Sequence, residues 1–177
     1  MVIDAQAFTS ASGALSGHLF ALSCVRLCQG LPENQPGGFE WQLDGRVDAG
    51  RGYRRWLDVR AQGVVRVVCQ RCLSPFDLTL HVDTTLGLLD NAAQLEAMDA
   101  LEAEGRGSDV EYLVADALLD VESLVEDELI LALPVAPHHE TCPDAEGGHE
   151  GPDDRDPSPF AALAQLRTQL KTQPKKH

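Results

Sequence analysis

The chain has 177 residues, enough for one domain with a real apolar core. Apolar residues make up 44%, which excludes a disordered protein, and aromatic residues only 5%, which argues against a stacking platform for single-stranded nucleic acid. The formal net charge of −14 means that bulk charge does not draw this chain to RNA or to an anionic membrane.

Residues 4–35 are mixed, with Ser23 placed to cap a short helix over 24–29 that Gly30 and Pro32 would stop. Residues 39–88 read as β. Phe39-Glu40-Trp41-Gln42-Leu43 alternates, Trp56 to Arg60 alternates more roughly, and a β-branched run follows from Val64 to Cys69. Phe76 to Val82 alternates with period two. Gly50, Gly52, Gly63 and Ser74-Pro75 are read as the turns between these runs. The expectation is an α+β fold: an antiparallel β meander or partial barrel with a few packed helices.

Residues 92–103 are read as a helix or a mobile acidic loop, and residues 110–114 as an edge strand. Asp120 is placed to cap a helix over 121–131, with Val121, Leu124 and Val125 on one face and Glu122 and Glu126 elsewhere on its surface. Pro134 closes that region, completing a domain over 1–142. Residues 143–157, rich in Asp, Glu, Gly and Pro, read as a disordered acidic linker. Residues 158–177 then predict a tethered amphipathic helix, with Phe160, Leu163, Leu166 and Leu170 in one stripe, ending in a basic tail.

Charge is unevenly spread. Residues 41–89 carry seven Arg against five Asp, whereas residues 90–128 carry thirteen acids against Arg106 alone. No apolar run approaches the roughly 18 residues of a membrane span, so no membrane partner is expected. Five cysteines with no export signal predict a reducing, cytoplasmic setting with the thiols free or on metal.

Three constellations could carry chemistry. Cys69-Gln70-Arg71-Cys72 can turn two thiolates toward one tetrahedral metal, and His138, His139 and Cys142 offer the other half. The candidate set is Cys69, Cys72, His139 and Cys142. The alternative is a strand-core thiol at Cys69 with solvated loop histidines. A redox role is disfavoured because a strand, not a helix N-terminus, follows the motif. The second constellation is Arg46, Arg51, Arg54, Arg55, Arg60, Arg66 and Arg71, beside Trp41, Tyr53 and Trp56. It reads either as a cationic face for phosphate with aromatics to stack on bases, or as arginines paired within the molecule. The third is Glu126-Asp127-Glu128, read as a solvated helix face rather than a magnesium site. Cys24 and Cys28 are read as ordinary small apolar residues. No nucleotide-binding or hydrolase motif is present, and no enzymatic activity is expected.

Val68-Cys69-Gln70-Arg71-Cys72 with Pro75-Phe76 resembles the first signature of the YceD family, the large ribosomal RNA subunit accumulation proteins. The second signature is Leu124 through Pro134 with Pro137, His139 and Cys142. The third is Ser158-Pro159-Phe160-Ala161 with Leu163, Ala164 and Leu166. The resemblance implies a small α+β ribosome-biogenesis factor needed for accumulation of large-subunit (23S) ribosomal RNA, through its synthesis, processing or stability, with no known enzymatic activity. It also implies a ribosomal-protein partner such as the basic protein L32.

The sequence therefore supports a factor that binds precursor large-subunit RNA or ribosomal protein. Arg54, Arg55, Arg66 and Arg71, with Phe160, Leu163 and Leu166, are the candidate contacts. The acidic segment 90–128 would face basic ribosomal proteins. A structural zinc is the only cofactor expected. The alternative function is a metal-dependent RNA-processing enzyme using the Cys/His set, although three thiolates and one imidazole would close the coordination sphere that catalysis needs open.

Overall fold

A computed structural model describes residues 1–48, 54–106, 110–115 and 118–142. The chain divides into two units, Met1–Cys142 and Pro143–His177. The expected linker and C-terminal helix lie outside the described residues, as do Arg51 and Tyr53.

The order of elements is β1 (Val2–Ile3), α1 (Ala5–Ser10), β2 (Ala14–Phe20), β3 (Gly38–Asp48), β4 (Arg54–Val68), β5 (Pro75–Leu89), α2 (Ala92–Ala103), β6 (Glu111–Val114), β7 (Leu119–Asp120) and α3 (Val121–Ala132). Strands β2, β3, β4 and β5 form an antiparallel meander, and β6 joins β5 in parallel. The five-stranded sheet is open, so of the two expected forms the meander is the one adopted. β1 and β7 form a separate small sheet that anchors the N-terminus beside α3.

Register assigns the two faces. Phe39, Trp41 and Leu43 on β3 stand opposite Gly63, Ala61 and Val59 on β4, and this row side is buried. Leu80, Val82 and Leu86 on β5 continue it. Because side chains alternate, Glu40, Gln42, Arg46, Arg60, Gln62, His81 and Asp83 all point to the opposite, open face. α1 and α3 pack on the buried face, α3 contributing Val121, Leu124, Val125 and Leu129. Asp120 caps α3 as expected, its side chain accepting from the Glu122 amide.

Two local expectations are corrected, one strand went unread and one open alternative is decided. Residues 24–29 are not a regular helix: a short 3-10 helix spans Ala21–Ser23, and turns follow it to Gly30. The Glu126 carboxylate caps the amides of Arg26 and Leu27 there instead of helical carbonyls. Gly63 is not a turn but the middle of the continuous strand β4. A Cβ at Gly63 would stand 2.4 Å from the Gly38 carbonyl and 2.5 Å from the Phe39 ring, so glycine serves close packing rather than reversal. β2 went unrecognised in the mixed stretch, because Leu15, Gly17 and Leu19 make a weak alternation broken by a glycine. Residues Ala92–Ala103 form a helix rather than a loop, capped by Asn91 on the Gln94 amide.

Candidate metal centre

β4 delivers Cys69 to the end of the sheet, fully buried. The chain then reverses through Gln70-Arg71-Cys72 into β5. Leu73 takes a left-handed conformation (φ 60°), its amide donates to the Cys69 carbonyl, and the Cys69 amide donates to Ser74. This geometry aims backbone N–H groups at sulfur: the Arg71 amide lies 3.4 Å from Cys69 Sγ. The loop leaving α3 closes over the turn. The Gln70 amide donates to the Pro137 carbonyl at 2.8 Å, and the His139 ring packs on Phe76 with centroids 4.4 Å apart. Together they place His139 and Cys142, themselves spaced by two residues, against Cys69 and Cys72.

The four donor atoms lie within 4.8 Å of one another. Cys69 Sγ is 3.7 Å from Cys142 Sγ, and Cys72 Sγ is 3.4 Å from His139 Nδ1. Zinc bonds of about 2.3 Å to sulfur and about 2.0 Å to nitrogen give tetrahedral edges of roughly 3.8 Å for S–S and roughly 3.5 Å for S–N. Those two observed edges match a zinc tetrahedron, and the cluster is able to hold a metal ion. Burial pushes the Cys69 thiol up. The amides of Cys72, His139 and Arg71 together with the His139 side chain outweigh it and bring Cys69 to about 5, a thiolate ready for metal. Cys142 is pushed up to about 11 by burial and by its neighbours Cys69 and Cys72, the repulsion that a cation among them would relieve. Among the described residues no other group of three or more His, Cys, Asp or Glu side chains is close enough for a metal. His138 is not part of the cluster and turns its Nδ1 to the Ala136 carbonyl.

The arginines are arranged by the same register. Arg66 stands opposite Asp77 and pairs with it at 2.7 Å. Arg60 bridges Asp44 and Asp83, and Arg46 holds Asp58 at 2.8 Å while lying over the Trp56 ring. Burial raises the Asp58 carboxyl, but the Arg46 and Thr85 hydrogen bonds outweigh it and hold it below the usual range. The open face is thus a lattice of internal ion pairs, whose partners are the aspartates of the sheet itself. Arg55 reaches Asp90 at the far end of β5. Arg54 and Arg71 are exposed, with no carboxylate within ion-pair distance among the described residues. The expected base-stacking role of Trp41 is corrected: it belongs to the core, 7% exposed, and lies over Gly17. Phe160, Leu163 and Leu166 lie outside the described residues.

The acidic run on α3 is also corrected, because Glu126 and Glu128 are buried. Glu126 accepts from the amides of Arg26 (2.8 Å) and Leu27 (3.2 Å) and from the Arg26 guanidinium (3.0 Å). It clips the 21–31 segment to α3. Cys24, pushed up to about 12 by burial, Glu126 and Cys28, is an inert core thiol. What sequence reading missed is how the centre is supported: Phe76 and Pro137 stand in the family signatures, but the ring contact of Phe76 with His139, the Pro137 carbonyl on the Gln70 amide and the left-handed Leu73 left no trace in the sequence.

No helix among the described residues is long and apolar enough to cross a membrane. No solved structure matches this chain. A family model described as large ribosomal RNA subunit accumulation protein YceD matches residues 57–167, a span that holds most of β4, the Cys69–Cys72 turn, α3 and the loop bearing His139 and Cys142. The chain belongs to that family, whose description is the accumulation of the large ribosomal RNA subunit and not a reaction.

Proposed function

We propose that this protein is a ribosome-biogenesis factor that docks on precursor large-subunit particles, with its sheet domain closed by one structural zinc on Cys69, Cys72, His139 and Cys142. The observation that carries the reading is the four-donor cluster inside the matched family span, its atoms within 4.8 Å of one another and two of its edges at zinc-tetrahedron length. Three sulfurs and one imidazole complete the coordination of zinc and leave no open position for a substrate or an activated water. The metal's work is then to hold the β4–β5 turn against the loop after α3.

Docking falls to cations that the sheet does not neutralise. Arg71 sits on the metal turn and Arg54 at the start of β4, both exposed. With the Phe160, Leu163 and Leu166 stripe they are the contacts we assign to ribosomal RNA or a ribosomal protein such as L32; Arg55 and Arg66, which the sequence also offered, are held by Asp90 and Asp77. Fractionation of ribosomal particles on a gradient tests this. Co-migration with immature large subunits at low salt, lost at high salt, supports electrostatic docking. Absence from those fractions at every salt concentration refutes it. Metal-dependent cleavage of precursor ribosomal RNA by the purified protein would establish the enzymatic alternative instead.

A further inference from the structure

The edge of the sheet at β6 carries a groove that the metal centre does not use. α2 lies across this edge with none of its residues buried, and Leu95, Met98 and Leu101 are only half-covered. Between α2, β6 and the end of α3 is a cavity of about 750 Å3, lined on its apolar side by Leu95, Met98, Tyr112 and Leu131, the last 70% exposed. A volume of this order accommodates several side chains. It adjoins a second cavity of about 290 Å3 beneath the C-terminal half of α3, with Glu111 and Leu131 lining both.

The charges around the groove decide what it can hold. The two cavities are lined by five carboxylates, Asp83, Asp99, Glu102, Glu111 and Glu128, the first of them paired with Arg60, against two guanidinium groups, Arg54 and Arg106. Arg106 is already engaged by Glu104. Glu128 is 6% exposed, and the charged groups acting on it, Glu111 and Asp127, are both carboxylates. Burial followed by that repulsion, against one Thr84 hydrogen bond, raises its pKa. A buried carboxylate without a cation is a costly arrangement that an incoming ammonium or guanidinium would relieve. Phosphate would meet repulsion here, and so would a second copy of a chain of net charge −14.

We propose that this edge groove binds a basic, amphipathic segment of a partner protein, its apolar side chains against Leu95, Met98 and Tyr112 and its cationic heads against Glu102, Glu111 and Glu128. The inference deepens the preceding reading and rests on it only for where such a segment is met. Peptide binding tests the groove and gradient co-migration tests the particle, so the two fail separately.

The probe is a fluorescein-labelled peptide of about 14 residues built from Leu, Lys and Arg, with leucines in one helical stripe, titrated with the full chain by anisotropy. A peptide of the same composition with scattered leucines is the control. The striped peptide is expected to bind at least about tenfold tighter than the scattered one. Leu95→Asp with Met98→Asp, and separately Glu111→Lys, are expected to weaken it about tenfold, while Gln62→Ala on the open face leaves it unchanged. Circular dichroism melting of each variant confirms folding, and Glu111→Lys, at an exposed position, keeps the test valid where the double variant unfolds. Equal binding of both peptides, or folded variants that bind as the parent does, overturns the proposal. Displacement of the peptide by single-stranded RNA would make the groove a nucleic-acid surface. Binding seen only after Lys171, Lys175 and Lys176 are replaced by Glu would make the chain's own basic end the occupant. Either result overturns a protein partner.

Discussion

Replacing Glu126 by Ala tests whether the acidic run of α3 is structural. The carboxylate accepts two backbone amides, those of Arg26 and Leu27, and carries the Arg26 guanidinium at 3.0 Å. Leu27 is 3% exposed, so its amide finds no water when the carboxylate is removed, and the Arg26 amide finds only partial access. An orphaned buried amide costs about 1–3 kcal/mol, so the two together come to about 2–4 kcal/mol. The segment released includes Ala21, Cys24 and Leu27, all core residues, so the loss is felt in the global transition. For a unit of this size that is a fall in melting temperature of about 10 °C, read by circular dichroism at pH 7. Arg26→Ala should lower it much less, because the guanidinium is half-exposed and its backbone amide stays bonded. A change for Glu126→Ala of less than about 2 °C, or an equal effect of Arg26→Ala, would refute the reasoning and return Glu126 to the candidates for ligand binding.

Protein purified without chelator should contain one zinc per chain by elemental analysis. Cys69→Ser should reduce that to under about a tenth of an equivalent, because three remaining donors bind far more weakly. Changing Arg54 and Arg71 together to Glu should weaken particle co-migration on the gradient while melting stays cooperative; retained co-migration would mean that these arginines do not dock the protein. Cutting the chain after Asp156 should leave the melting temperature nearly unchanged yet impair large-subunit RNA accumulation in cells, and a large drop in melting temperature would instead place the tail on its own core. Glu128 has a folded pKa raised above its ordinary 4.5 by burial, so it takes up a proton more readily folded than unfolded. Its ionisation therefore costs stability as pH rises through the raised value, and the cost is absent below about 4.5. Glu128→Gln should raise the melting temperature at pH 7 and make no difference at pH 4, as paired melts at the two values would show.

Much of the fold is legible in local pattern. Alternation from Phe39 to Leu43 and from Phe76 to Val82 assigns strands and their buried sides, because side-chain direction in a strand depends only on residue parity. Asp120 announces α3 because a cap acts within three residues. Cys69 and Cys72 announce half of a candidate metal site for the same reason: their spacing is a property of one turn. The tertiary structure alone decided the remainder. Whether Arg66 is free or paired depends on Asp77 standing opposite it, which is a matter of register between two strands and not of either strand's composition. Glu126 reads as a surface residue on a helix wheel, yet it is buried because a separate segment, 21–31, folds over that side of α3. His139 and Cys142 meet the first cysteine pair across about 70 residues because α3 packs on the sheet and aims the following loop at the end of β4. One-dimensional pattern sets what each segment presents. Only the packing of segments from distant parts of the chain settles which charges are neutralised, which donors converge on one point, and which groove at the sheet edge is left open.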